Sequence, residues 1–264
     1  MKKLIQRFQR AAWTYLQPLT RTPSFAGAPV SDLFLWRKGP DWQTTFELTD
    51  IASFYESNEI KTRSKTFILL FDSSGKQIGQ QEFSPPLYHR QQIDISLMAQ
   101  ETEDSIGTFC VFHSHTPAGV KKLGSHLTER GYVGYRFRGA PLRAYMHGNL
   151  DAAALVEQEM ILLAGSGPLC REYRLQHELL PGSCYDIAIV NPSPSGQKIT
   201  CEVLGCIEGK KLQVLSARLA PGACHLFSFA PSQVSQRIVI RSRLVMARPV
   251  VFRIQGRMMD VFHG

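Results

Sequence analysis

The stretch Tyr185–Val203 reads YDIAIVNPSPSGQKITCEV, and it combines two kinds of local signal. Two short runs rich in Ile and Val, Tyr185–Val190 and Lys198–Val203, flank the segment Asn-Pro-Ser-Pro-Ser-Gly. Short runs of this composition are typical of strands, whereas Asn, Pro, Ser and Gly favour turns. The stretch therefore predicts two β-strands joined by a turn.

The same pattern continues to the last residue. Further strands are predicted at Leu212–Ala217, Ala223–Phe229, Arg237–Ser242, Pro249–Ile254 and Met258–Phe262. About seven short strands in about 80 residues is typical of a small antiparallel sandwich. We therefore expect residues 180–264 to form a β-sandwich domain.

This region resembles bacterial immunoglobulin-like and fibronectin-type-III-like modules. The resemblance depends on IAIVNPSPSGQKITCEVL (187–204), on GKKLQVLSARLAPGACHLFSF (209–229) and on the closing strands, about a third of the chain. It implies an immunoglobulin-like sandwich and a binding role, because such modules are mostly non-catalytic. Fold alone does not confer a function.

A second β pattern lies upstream, in residues 31–165. Strand-like runs such as Thr66–Phe71, Gln77–Phe83 and Ile106–His113 are separated by Gly, Pro, Asp and Ser. Asp151 is a suitable N-cap for a predicted helix over Ala152–Ala164. We expect an N-terminal sandwich-like domain that ends in this helix, so that the fold is mainly β with two antiparallel β-sandwich-like domains.

Residues 1–30 predict a basic amphipathic helix followed by a linker. In residues 2–17 the apolar side chains recur at helical spacing, Pro18 ends the helix, and residues 20–30 are rich in Pro, Gly, Ser and Thr. The helix either lies on an anionic membrane or a partner, with Trp13 at its edge, or packs on its own domain. The basic residues of its polar face are Lys2, Lys3, Arg7 and Arg10.

Composition indicates a soluble, cytoplasmic protein. The apolar fraction is 44%, which permits a sizeable core. No apolar run is long enough to cross a membrane, and polar residues interrupt any signal-peptide core near the N-terminus. The six cysteines are scattered without a CxxC pair, which is typical of buried thiols in a reducing compartment.

The formal net charge of +8 is concentrated at the two ends of the sequence. Residues 1–25 carry five basic residues and no acidic one, and residues 181–264 carry ten basic against four acidic residues. This asymmetry indicates an anionic partner. Strand alternation predicts that four arginines of the last strands face solvent and form a docking surface or a merely solvated face: Arg237, Arg241, Arg243 and Arg253. Few aromatics are interleaved there, so we do not expect nucleic acid as the partner.

A metal site is the alternative hypothesis. His113 and His115 are two residues apart in a β run, so their side chains share a face and could bind one divalent metal. The third ligand could be His147 or His126. The Gly107-x5-His-x-His pattern resembles the first cupin motif, although the glutamate and the closing asparagine of that family are missing here. The resemblance implies a metal-dependent enzyme or a sugar-binding protein. The competing interpretation is that these histidines only hydrogen-bond within the fold.

A ligand groove is a further hypothesis. The hairpin after the histidines is aromatic and basic, which suits a glycan or a nucleotide, although a half-buried edge hairpin explains the same composition. The groove residues are Glu129, Arg130, Tyr132, Tyr135 and Arg138.

No nucleotide-binding glycine pattern and no nucleophile elbow occurs in the sequence. We therefore expect a non-enzymatic accessory or scaffold subunit. Its basic N-terminal helix and its arginine-rich sandwich would attach it to the inner face of a membrane or to a membrane-bound protein assembly.

Overall fold

The structure is a computed structural model that describes residues 28–49, 65–84, 90–114, 128–129, 131–148, 152–206, 209–230, 232–245 and 248–264. The predicted helix over residues 2–17 and most of its linker lie outside these residues. Within the described ranges the protein is mainly β, and its one helix, α1, covers Ile95–Met98. No described helix is long and apolar enough to span a membrane.

Short strands follow one another along the described chain. They are β1 (Val30–Ser31), β2 (Phe34–Arg37), β3 (Trp42–Thr49), β4 (Thr66–Phe71), β5 (Gln77–Phe83), β6 (Arg90–Asp94), β7 (Ile106–His113), β8 (Thr128–Glu129), β9 (Tyr132–Phe137), β10 (Ala144–His147), β11 (Ala153–Val156), β12 (Glu159–Leu162), β13 (Ser166–Arg174), β14 (Cys184–Val190), β15 (Gln197–Gly205), β16 (Lys211–Leu219), β17 (Cys224–Phe229), β18 (Gln236–Leu244), β19 (Val250–Gln255) and β20 (Met258–His263).

The expectation of two antiparallel β-sandwich domains, the second immunoglobulin-like, is wrong. The strands form five small four-stranded sheets, arranged as a five-bladed β-propeller. Their orders are β12-β11-β1-β8, β10-β9-β3-β6, β2-β7-β4-β5, β13-β18-β15-β16 and β17-β14-β19-β20. The pattern of apolar residues gives the position and the buried face of a strand but not its partner. Strand β1, for example, pairs antiparallel with β11 and parallel with the distant β8.

The predicted helix over Ala152–Ala164 is also wrong, because β11 and β12 form a hairpin there. Glu157 and Gln158 make its two-residue turn, with positive φ angles of 50° and 69°. Two positive φ angles define the type I′ turn that suits the twist of a hairpin. Ala, Leu, Glu, Gln and Met favour helix locally, but the complete burial of Ala153 and Ala154 beside β1 outweighs that preference.

The two regions expected to be separate domains share buried contacts. One core cluster includes Phe46 and Ile68 from the N-terminal strands together with Ala188 and Phe252 from the C-terminal strands. Polar contacts join the regions as well, among them the hydrogen bond from the Thr108 hydroxyl to the Gly222 carbonyl at 3.1 Å. The candidate sites therefore lie on, or between, sheets that pack against each other.

Gly107 has a packing role in this core. A Cβ atom at this position would lie 2.3 Å from the carbonyl oxygen of Phe71 and 2.5 Å from the ring of Trp36. Trp36 is fully buried and donates its indole N–H to that same carbonyl at 3.0 Å. The close approach of the indole thus explains a glycine at the first position of the cupin-like pattern.

Candidate functional site

The outer face of the β13-β18-β15-β16 sheet presents most of the predicted arginines. In β18 Ile238 and Ile240 are buried, Arg237 and Arg243 are exposed and Arg241 is half-buried, while Val239 on the arginine face is also buried. Strand geometry explains the alternation of isoleucine and arginine, because successive side chains point to opposite faces of a sheet.

Acidic side chains on neighbouring strands compensate part of this charge. Arg241 contacts Glu172 on β13 at 2.8 Å and Glu202 on β15 at 3.4 Å. Hydrogen bonds from Lys211 and from Arg241 hold the pKa of Glu202 below its ordinary value. These contacts form an ion-pair network across all four strands, so Arg241 is not available as an isolated positive charge.

The arginines at either side of this network are paired too. Arg237 donates two hydrogen bonds to one carboxylate oxygen of Glu178, at 2.9 and 3.0 Å. Arg253, on β19 in another sheet, donates to Asp260 at 3.0 Å. Of the four predicted arginines, Arg243 has no ion pair to another described residue.

Three basic residues at one end of the same sheet face no acidic partner among the described residues. Lys198 on β15 lies directly opposite Arg218 on β16, and the register of Thr200 with Arg241 brings Arg243 to the same end. All three side chains are exposed, and none forms an ion pair among the described residues. We call Lys198, Arg218 and Arg243 the basic cluster.

The basic cluster borders a shallow open groove. Gly196, Gln197 and the end of β16 also line this groove, which has a volume of about 830 Å³. Two apolar side chains, Leu212 and Val214, project from the same face of β16 and are 51% and 50% exposed. They lie six and four residues along β16 from Arg218, so one face of the sheet carries positive charge at one end and exposed apolar side chains towards the other. Such a face can attract an anionic layer and also insert apolar groups.

A second candidate site is a small pocket of about 60 Å³ between the N-terminal and C-terminal strands. Apolar side chains such as Val133, Met146 and Val250 line it, whereas Asp32, His147, Arg248 and His263 also contribute polar groups. We call it the junction pocket. Its volume suits a molecule of a few heavy atoms.

Backbone carbonyls orient the two imidazoles of the junction pocket. His263 Nε2 lies 3.0 Å from the carbonyl oxygen of His147, and His147 Nδ1 lies 2.8 Å from the carbonyl oxygen of Gly148. The ring centroids are 5.7 Å apart. Burial lowers the pKa of His263 below its ordinary value, so its imidazole is neutral near pH 7.

The predicted metal ligands are not all placed. His113 is buried at the end of β7, opposite Thr66, and His147 lies at the end of β10. His115 and the alternative ligand His126 lie outside the described residues. In the part of the chain that the structure describes, no group of three or more His, Cys, Asp and Glu residues is arranged to hold a metal ion. The metal site that includes His115 stays a prediction.

The predicted ligand groove does not gather its residues on one surface. Tyr132 is exposed and packs edge-on against His147 at 6.4 Å between centroids. Tyr135 is fully buried, and its hydroxyl donates to the carbonyl of Leu35 at 2.8 Å. The two tyrosines are three residues apart on one strand, so they point to opposite faces of the sheet.

The other groove residues are only partly placed. Arg138 is exposed and pairs with Asp41 at 3.3 Å. Glu129 lies in β8, and Arg130 lies outside the described residues. The predicted membrane-binding residues of the N-terminal helix lie outside them as well: Lys2, Lys3, Arg7, Arg10 and Trp13.

Sequence reasoning missed Lys198, Arg218 and His263. Alternation was the available signal for the first two. Lys198 begins a predicted strand, and Arg218 follows the predicted strand Leu212–Ala217 by one residue, in the extension that β16 adds. Their position directly opposite each other depends on the register between the strands, which alternation alone does not give.

Comparisons with known proteins add no family. No protein-family model matches the chain, and no curated protein matches it. Two solved structures of infectious bursal disease virus, one of the Gx strain and one of the Gt strain, are 11% and 12% identical to this chain. The matches cover 88% and 87% of this chain and 58% of each viral chain. Both have a TM-score of 0.19, which carries no argument about fold or function.

Proposed function

We propose that this protein is a non-enzymatic accessory protein that attaches to an anionic membrane surface through the basic cluster. The observation that carries the proposal is the position of Lys198 directly opposite Arg218, with Arg243 at the same end of the sheet. Like charges directly opposite each other on neighbouring strands destabilise a sheet. A layer of anionic headgroups would attract all three side chains and offset the repulsion between them.

The composition around the basic cluster supports a membrane surface as the partner. Leu212 and Val214 extend the same face with about half-exposed apolar side chains. The sequence of residues 1–25 adds five basic residues without an acidic one. All six cysteines are free, which fits a reducing compartment and therefore the cytoplasmic leaflet, whose lipids are anionic.

The expected strength can be estimated from the number of charges. A Lys or Arg close to an anionic membrane surface contributes about 1 kcal/mol. Removing two charges from the basic cluster should therefore weaken membrane binding by about 2 kcal/mol, or about 30-fold.

A vesicle flotation assay with the full chain tests the proposal. Vesicles of phosphatidylcholine with phosphatidylglycerol are compared with vesicles of phosphatidylcholine alone, at about 0.1 M and about 0.5 M salt. The variant Lys198→Gln/Arg218→Gln is compared with Arg143→Gln/Arg257→Gln. The control removes the same charge from two arginines that also have no ion pair among the described residues.

We expect the protein to bind anionic vesicles and high salt to weaken that binding. The affinity of the basic-cluster variant for these vesicles should be about 30-fold lower than that of the control variant. Equal binding by the two variants would show that only net charge matters and would overturn the proposal. Binding that persists unchanged at about 0.5 M salt would also overturn it, since screening shortens electrostatic attraction to a few ångströms. Substituting Lys2, Lys3, Arg7 and Arg10 with Gln in the full chain then measures the share of the N-terminal segment.

A further inference from the structure

Two hairpin tips meet on a different surface of the molecule. The connection Arg138–Arg143 joins β9 to β10, and Gly256-Arg257 forms the turn between β19 and β20. The guanidinium of Arg138 donates to the carbonyl of Gly256 at 3.3 Å and ties the tips together. Between them lies an open cleft of about 650 Å³, which we call the hairpin cleft.

The hairpin cleft contains the two most exposed large apolar side chains of the described residues. Leu142 is 81% exposed and Met258 is 69% exposed, and both line the cleft. Single exposed apolar residues are ordinary on a protein surface, but adjacent ones within a concave site mark an interaction surface. Methionine also adapts its shape to a partner more readily than a branched side chain does.

The same cleft carries an excess of positive charge. Arg143 and Arg257 line it and have no ion pair among the described residues. The Nε atom of Arg143 is buried and has no hydrogen-bond partner there. Asp260 also lines the cleft, but its carboxylate already accepts from Arg253. Two guanidinium groups therefore remain for an external carboxylate, which arginine binds in a bidentate geometry.

We propose that the hairpin cleft binds an acidic segment of another protein that carries an apolar anchor residue. Arginine, methionine and apolar side chains in a concave centre form the composition of a protein-binding site. Charge complementarity selects an acidic occupant. The basic segment of residues 1–25 has the wrong sign, and a second copy in a two-fold arrangement would bring the unpaired arginines of both copies into one interface.

This inference goes beyond attachment to a membrane. The hairpin cleft and the basic cluster share no residue, since the cleft is lined by residues 137–144 and 257–260 and the cluster by β15, β16 and β18. A protein with both surfaces would hold an acidic partner protein at the membrane. Either surface can fail its test without affecting the other.

The test measures binding of a fluorescent peptide to the full chain by anisotropy. The probe is a 12-residue peptide of glutamates with leucine at every fourth position, and the matched probe has serine in place of leucine. We expect saturable binding of the leucine peptide, and at least about tenfold weaker binding of the serine peptide. Equal affinity of the two peptides would overturn the proposed apolar anchor.

Charge variants identify the surface. Arg143→Glu/Arg257→Glu should weaken binding of the leucine peptide at least about tenfold, whereas Lys198→Glu/Arg218→Glu changes the same charge elsewhere and should weaken it less than about twofold. An equal effect of both variants would overturn the assignment to the cleft. All four side chains lie at the surface or half-buried, and unfolding midpoints check that the variants fold.

Apolar variants complete the design. Leu142→Ser/Met258→Ser should weaken binding of the leucine peptide at least about tenfold. The control Leu97→Ser/Val234→Ser should change that binding little, because it alters side chains outside the cleft that are 63% and 55% exposed. Sedimentation of the full chain addresses a competing occupant. A dimer that Leu142→Ser/Met258→Ser dissociates would assign the cleft to a second copy and overturn the proposal.

Discussion

The ion pair between Arg37 and Asp186 tests how the N-terminal and C-terminal strands are held together. Arg37 Nη2 lies 2.9 Å from a carboxylate oxygen of Asp186, and the side chains are only 9% and 16% exposed. The guanidinium also lies 3.6 Å from the ring centroid of Trp42 and 4.7 Å from that of Phe252. The pair therefore joins β2 to β14 inside an aromatic enclosure.

The perturbation is Asp186→Asn, which removes the partner's charge and keeps its size. Burial lowers the pKa of the Arg37 guanidinium and Asp186 opposes that shift, but arginine remains charged at neutral pH in either case. Removing one partner of a buried pair costs about 3–5 kcal/mol because an uncompensated charge stays in the interior. We expect about 3 kcal/mol, since the asparagine oxygen still accepts a hydrogen bond and the two rings remain in contact with the cation.

Urea unfolding at pH 7 measures the free energy of unfolding. The control is Asp260→Asn, which breaks the Arg253–Asp260 pair, whose side chains are 36% and 56% exposed. An exposed pair contributes about 0–1 kcal/mol. If Asp186→Asn destabilises the protein by no more than the control does, burial does not strengthen the effect of losing this ion pair.

A compensating variant separates lost charge from lost packing. Arg37→Met/Asp186→Leu replaces the pair with apolar side chains and should recover at least about half of the loss in the free energy of unfolding. Ser228, which donates to Asp186 at 2.6 Å, is exposed and can bond to water instead. A double variant less stable than Asp186→Asn would show that the geometry of the pair, not its buried charge, sets the stability.

Two further predictions concern Gly107 and His263. Gly107→Ala should lower the free energy of unfolding by more than about 3 kcal/mol, because the new Cβ meets a buried carbonyl and the buried Trp36 ring. The control Gly79→Ala, whose Cβ would have its nearest neighbour at 3.8 Å, should change it by less than about 1 kcal/mol in the same urea titration. Similar losses in the two variants would contradict a packing role for Gly107. Burial lowers the pKa of His263 from its ordinary value of 6.5, so the unfolded chain binds its proton more readily. Its contribution to stability is complete above about pH 6.5 and is lost as the pH falls towards and through the folded-state pKa. Unfolding measured at about pH 7.5 and about pH 5.5 should show a smaller acid loss for His263→Asn than for the unchanged protein, and an equal loss in both would contradict this.

Strand positions follow from the sequence because they depend on local residue order. Thr66–Phe71, Gln77–Phe83 and Ile106–His113 are strands with the predicted ends. The predicted strands Pro249–Ile254 and Met258–Phe262 correspond to β19 and β20, which reverse at Gly256-Arg257 with Gly256 at a φ of 62°. Successive side chains of a strand point to opposite faces in any tertiary arrangement, so the alternation of apolar and polar residues predicts the buried face of a strand.

The prediction was wrong where the burial of side chains outweighs their local preference for helix. Most residues of β11 and β12 favour helix individually, yet they form a hairpin whose alanines are buried beside β1. Strand β13 was missed because its polar residues are satisfied by ion pairs rather than by an apolar face: Glu172 pairs with Arg174 on the same strand and with Arg241 on β18. The arrangement of five sheets as a propeller depends on pairings such as β1 with β8, which are far apart in sequence.

For the candidate surfaces, residue order indicates which basic side chains point to solvent, whereas the pairing of the strands in space sets which of those charges remain uncompensated. Arg237 and Arg241 receive their acidic partners Glu178, Glu172 and Glu202 from other segments of the chain. Lys198 and Arg218 instead meet each other, because the register between β15 and β16 places them opposite. Electrostatic interaction depends on distance in space, and strand register sets that distance across a sheet while residue order does not.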